Sequence, residues 1–140
     1  MVLNVLTFAA RSFASSVGVF LGSELPDGPI ADASIQRPDL IYGVTKLFGE
    51  LLGRFYRKHY GLDFRGIRYP AIVGPGVTTW SLAQCTSWVI ETPARGEPFT
   101  SWLGPTAPFD LVYFKEAGAA MVQLADAPRE QIKGINYLVN

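Results

Sequence analysis

The sequence predicts an α/β fold built on a parallel sheet, and three stretches carry that prediction. Residues 12–20 are small and β-prone, residues 42–60 repeat apolar side chains at helical spacing, and residues 64–73 return to a β-prone run. Strand, long helix, strand in that order require a crossover, which makes the two strands parallel. Ligands of such sheets bind outside the carboxyl ends of the strands. Ser15, Ser16, the 70–76 segment and the start of the helix at Tyr42 are therefore expected along one edge.

Each element has its own local justification. Residues 2–11 carry Val2, Leu3, Val5, Leu6, Ala9 and Ala10, which fits a short buried helix running almost without a loop into the strand over 12–20. Residues 22–41 contain Pro26-Asp27-Gly28-Pro29, Asp32, Arg37 and Pro38-Asp39, the composition of a surface loop. Val44, Leu47, Phe48, Leu51, Leu52, Phe55 and Tyr56 then form a continuous stripe on a helix that Gly61 should end, with Phe48, Phe55 and Tyr56 serving either a subunit interface or the core. Glycines 49 and 53 lie on the flank of that stripe with Tyr42 and Lys46, where they permit close approach of a backbone or a ligand.

The run over 64–73 reads as one strand leaving at Gly74-Pro75-Gly76. One helix is expected over 80–94, stopped by Arg95-Gly96-Glu97-Pro98, then short strands over 100–103 and 111–114. An alanine-rich helix over 115–127 and a closing strand over 134–139 complete the chain. The organisation expected is a catalytic half of a sheet domain over 1–76 and a substrate-binding region with the closing strand over 77–140.

Composition narrows the function classes. Twelve basic and twelve acidic residues leave no net charge, and the longest basic cluster is Arg57-Lys58-His59 at a helix end, so no nucleic-acid partner is expected. Cys85 and His59 are each the sole residue of their type, which excludes an internal disulfide and argues against a metal site. The uncharged stretch from Tyr69 to Ile90 is interrupted by prolines and glycines, so no membrane span is expected either, and a cytoplasmic location fits best.

Tyr42 and Lys46 carry the chemistry. Four residues apart on a helix, they share a face, so the ammonium can stabilise a phenolate without being its proton partner. A tyrosine phenol titrates near pH ~10, so proton transfer near neutrality asks roughly 4 kcal/mol of help, which an ammonium and a cationic cofactor can supply.

Three motifs occur in order: Phe13-Ala14-Ser15-Ser16-Val17-Gly18-Val19-Phe20, Tyr42-Gly43-Val44-Thr45-Lys46, and Arg68-Tyr69-Pro70-Ala71-Ile72-Val73-Gly74-Pro75-Gly76. Together they resemble the extended short-chain dehydrogenase/reductase family, the NAD-dependent epimerase/dehydratases. The resemblance implies part of a Rossmann-like, doubly wound parallel sheet, with a small C-terminal substrate-binding region. It implies a Ser16, Tyr42, Lys46 triad for hydride transfer at a substrate hydroxyl: Ser16 bonds the reacting oxygen, Tyr42 moves its proton, and Lys46 holds the nicotinamide ribose and assists the phenol. By the same resemblance Pro70, Ala71 and Ile72 contact the nicotinamide carboxamide, Ser15 and Thr78 belong with Ser16 in substrate binding, NAD (with NADP as alternative) is the cofactor, and no metal takes part. A small-molecule substrate and a homodimer through the helix from Tyr42 to Tyr60 complete the expectation.

The chain departs from the family in lacking a glycine-rich turn followed by an acidic ribose ligand, since Gly74-Pro75-Gly76 leads to Thr79 instead of a third glycine. The N-terminal dinucleotide-binding half is thus expected to be missing. Gln36-Arg37-Pro38, Glu50-Leu51-Leu52-Gly53, Tyr60-Gly61-Leu62-Asp63-Phe64-Arg65 and Val77-Thr78-Thr79 look like the short-chain type of L-threonine 3-dehydrogenase. Trp80 stands where that subgroup has an aspartate and Lys115-Glu116 where it has an acidic pair, so nucleotide sugars and small hydroxy compounds are both retained as substrate classes. A truncated, non-catalytic member acting by packing or partner binding is the reading of a different class.

Overall fold

The computed structural model describes residues 11–24 and 28–139, which form two compact units. Most of the helix expected over 2–11 lies outside the described residues, as do Pro26 and Asp27 of the expected loop; Arg11 itself opens a strand. The first unit runs to Tyr69 and resumes at Ala119. Its sheet has three parallel strands in the order β1 (Arg11–Ser16), β2 (Phe64–Tyr69), β5 (Asn136–Leu138). β1 and β2 pair from Arg11 with Phe64 to Ser16 with Tyr69, and β2 pairs with β5 from Gly66 with Asn136 to Arg68 with Leu138. The parallel α/β fold expected from the sequence is thus the fold observed. β2, between two neighbours, is buried at every position.

The crossover is α1 (Ile41–Tyr60), closed by Gly61 in the left-handed conformation at φ 68°. Its last turn holds Arg57, Lys58 and His59, which suit the negative end of the helix dipole. Of the two roles open to the apolar stripe, its aromatic residues do not take the core. Gly43, Glu50 and Gly53 are the buried positions, while Phe48 is 66% exposed and Leu51, Phe55 and Tyr56 are also exposed. The reason is spacing. A Cβ on Gly43 would strike the carbonyl of Gly18 and one on Gly53 the Phe64 ring, so α1 lies closer to the sheet than large side chains allow.

The second unit, Pro70–Gly118, contains a two-stranded parallel ladder of β3 (Ala71–Val73) and β4 (Leu111–Tyr113). The single strand expected over 64–73 is therefore two strands in two sheets. Pro70 divides them because it has no N–H to donate to a ladder. The helix expected over 80–94 is likewise two, α2 (Trp80–Thr86) and α3 (Trp88–Ala94), separated at buried Ser87, whose hydroxyl donates to the Gly74 carbonyl at 2.5 Å. Residues 100–103 contain no strand. α4 (Phe114–Asp126) and β5 fall where a helix and a strand are expected.

Candidate active site

β1 ends in the first unit at Ser16, which caps the 3-10 turn Val17–Val19: its Oγ accepts the Gly18 N–H at 3.1 Å. This turn brings bare Gly18 beneath the first turn of α1. A Cβ there would stand 3.2 Å from the Tyr42 ring and 3.3 Å from Ser16 Oγ, so the ring and the hydroxyl border the same glycine. One helical turn on, Lys46 donates Nζ–H to the Ala14 carbonyl at 2.8 Å and lies 5.6 Å from the ring centroids of Tyr42 and Phe13. The ammonium is thereby fixed between the strand end and the phenol. Tyr42 is 54% exposed, and among the described residues the Ser16 O–H meets no acceptor. The concavity lined by Arg11, Tyr56, Tyr60 and Leu62, at the other end of α1, contains none of these groups.

Ser15, expected beside Ser16 in substrate binding, has a different place. Strand side chains alternate, so Ser15 points inward; it is buried and donates to Glu50 Oε1 at 2.5 Å. Arg68 grips the same carboxylate with two parallel bonds, Nε to Oε1 at 2.9 Å and Nη2 to Oε2 at 2.6 Å. Asn136 Nδ2 adds a bond to Oε2 at 2.9 Å. Glu50, fully buried, accepts four hydrogen bonds and is satisfied. Glu50 and Arg68 each stand in a motif quoted above, but their pairing is not legible there, because a lone Glu on a helix and an Arg in a strand both read as solvent-facing. One signal is available: Glu50 stands four residues after Lys46, on the glycine side of α1.

Pro70, Ala71, Ile72 and Thr78 lie in the second unit. Ala71 and Ile72 pair with Leu111 and Val112, and Thr78 is exposed in the loop before α2. That loop begins at Gly76, which has φ 78° and donates its N–H to Glu91 at 3.1 Å.

The side chains bordering Gly18 indicate what the site can hold. An exposed phenol, a hydroxyl and an ammonium with two N–H groups left beyond its bond to Ala14 suit a ribose and a reacting oxygen, the nicotinamide end of a dinucleotide. The phosphate end is not matched: no Gly-x-Gly-x-x-Gly stretch occurs in the 140 residues. Among the described residues no cluster of His, Cys, Asp and Glu could hold a metal, and no helix is long and apolar enough to cross a membrane.

The chain is similar to several known proteins. The mitochondrial L-threonine 3-dehydrogenase of Sus scrofa is 34% identical over 98% of this chain and 38% of its own length. An epimerase/dehydratase of uncharacterized function from Staphylococcus aureus is 29% identical over 87% of the chain and 38% of its own. Among solved structures, the L-threonine dehydrogenase of Phytophthora infestans superposes with a TM-score of 0.78 at 28% identity, covering 92% of this chain and 42% of that one. The GalE-like L-threonine dehydrogenase of Cupriavidus necator does so at 0.80 and 25%, covering 91% and 47%. The chain thus spans between 38% and 47% of the length of these relatives. The profile of the NAD dependent epimerase/dehydratase family matches residues 1–139, and the chain belongs to that family.

Proposed function

We propose that the protein is an NAD-dependent oxidoreductase or epimerase acting at a substrate hydroxyl, with Ser16, Tyr42 and Lys46 as its proton-handling groups. The observation that supports this reading is that Ser16 Oγ and the Tyr42 ring both border Gly18, with Lys46 Nζ 5.6 Å from the Tyr42 ring centroid. In this reading the Ser16 hydroxyl bonds the reacting oxygen, as donor to an oxyanion or acceptor from an alcohol. Tyr42 takes the hydroxyl proton as hydrogen leaves carbon, and returns it in the reverse sense. Lys46 keeps positive charge beside the phenol and offers its remaining N–H groups to the ribose. NAD, when bound, accepts and returns the hydride; NADP is the alternative that competition binding separates.

For the substrate, the threonine dehydrogenases among the relatives favour a small hydroxy amino acid, and a nucleotide sugar is the alternative. The second unit is read as carrying the substrate loop at Thr78 and the carboxamide contacts at Pro70, Ala71 and Ile72. The exposed stripe of α1, led by Phe48, supports a homodimer through that helix. Tyr42→Phe in the full-length protein is expected to lose nearly all turnover and keep cofactor affinity. Unchanged turnover would refute the reading.

A non-catalytic role, by packing or partner binding, is the second reading, favoured by the lack of a Gly-x-Gly-x-x-Gly stretch in the 140 residues. Calorimetric titration of the 140-residue chain with NAD separates the two: stoichiometric binding excludes a purely packing role.

A further inference from the structure

We propose that Glu50 is the positioning residue of the Ser16, Tyr42, Lys46 constellation, setting the end of β1 against α1 through Ser15 and Arg68. The proposal rests on the reading of that constellation given above. Tyr42, Lys46 and Glu50 follow one another at intervals of four and share a face of α1. Two of them reach β1 on consecutive residues: Lys46 binds the Ala14 carbonyl at 2.8 Å, and Glu50 receives the Ser15 hydroxyl at 2.5 Å. Because side chains alternate along a strand, holding Ser15 inward sends Ser16 to the opposite face, where its Oγ meets the Gly18 N–H. The place of the Ser16 hydroxyl is therefore set by the grip on Ser15.

That grip is rigid. Ser15 and Arg68 are direct partners across the β1–β2 ladder, and both bind Glu50 Oε1. Arg68 also donates Nη1–H to the Asp32 carbonyl at 2.7 Å, and the Asp32 carboxylate accepts the Leu138 N–H at 2.7 Å. One guanidinium thus secures the strand, the helix and the loop that leads into the helix. An apolar contact would hold α1 on the sheet equally well, since a buried ion pair gains little over a hydrophobic replacement. Directional bonds add a single register between helix and strand, and a displacement of about 1 Å at reacting groups costs on the order of 100-fold in rate.

The test uses Ser15→Ala, which removes one bond and leaves the Glu50–Arg68 pair intact, in the 140-residue chain carrying labelled tyrosine. The expected result is a folded chain in which the NMR contact between the Tyr42 ring and the Gly18 Hα is lost. In full-length protein, kcat falls at least ~10-fold while KM for NAD stays within about twofold, as for a displaced rather than a missing group. Glu50→Gln should do the same more strongly; if it fails to fold, Ser15→Ala alone decides. Arg65→Lys serves as the control for lost stability. A Ser15→Ala chain that keeps the Tyr42–Gly18 contact, or a control that loses it equally, overturns the proposal. Full activity of Tyr42→Phe alongside a lost contact in Ser15→Ala would instead defeat the catalytic reading and leave the positioning intact.

Discussion

Arg65 and Asp63 form a two-point ion pair, with Nε 3.0 Å from Oδ1 and Nη2 2.7 Å from Oδ2. The remaining nitrogen, Nη1, donates to the carbonyls of Leu124, Ala125 and Ala127 at 2.5, 3.0 and 2.6 Å. Asp63 therefore orients the cation that closes the C-terminal end of α4.

This pair makes stability depend on acid pH. The hydrogen bond from Arg65 holds the Asp63 carboxyl below the usual carboxylate range; burial opposes that shift, and the charges of Arg65, Arg129 and Arg57 add to it. A depressed folded-state value means that the stabilisation is fully present above the unfolded value near ~4 and is lost as pH falls through the folded value. Asp63→Asn should cost about 2 kcal/mol at pH 7, within the range for hydrogen bonds to charged groups. Urea denaturation of both chains checks this, and the difference between them should shrink below pH ~4.

The glycine face of α1 gives a second prediction. Alanine normally improves a helix by about 1 kcal/mol over glycine, but at position 53 the added carbon enters the space of the buried Phe64 ring. Overpacking costs about 1–3 kcal/mol, so Gly53→Ala should lower stability instead of raising it. A higher melting temperature for the variant would contradict the packing described.

These two predictions mark where the sequence speaks and where it is silent. The helix and its end were legible because periodicity and Gly61 are local signals, and a parallel partner for β1 followed from helix length. Which face of α1 turns inward was not, because hydrophobicity points to the stripe with Phe48 while steric distance selects Gly43 and Gly53. The division at Pro70 was hidden inside a continuous β-prone run, and only strand pairing reveals that its halves belong to different ladders. Ser16, Tyr42 and Lys46 were readable as a motif. Glu50 and Arg68, eighteen residues apart in sequence, come together only through the crossover.

The outer face of α1 predicts an association state. Phe48 is 66% exposed and makes no part of the described core, so Phe48→Glu should leave the melting temperature within a few degrees, as for surface changes of about 0.5 kcal/mol. In the proposed homodimer the same change places a carboxylate in the interface and should shift the mass in sedimentation to that of a monomer. An unchanged dimer mass would remove α1 from the interface.

Lys46 yields a ligand prediction. Lys46→Met keeps the apolar stem near Phe13 and Tyr42 but removes the ammonium that binds Ala14. Full-length protein should bind NAD at least ~10-fold more weakly, the equivalent of about 1.4 kcal/mol. Lys46→Arg should not restore the affinity, because a planar fork cannot replace a compact ammonium. Wild-type affinity in the methionine variant would exclude the ribose contact.

The inward glycines and outward aromatics of α1 separate two properties that most amphipathic helices couple. Foldedness here depends on what is small, and stickiness on what is large, and the two sets of positions do not overlap. The outer stripe can accordingly be rewritten with charged residues to make the chain tractable at high concentration, while Gly43, Lys46, Gly49, Glu50 and Gly53 are left untouched to preserve the seat of Tyr42.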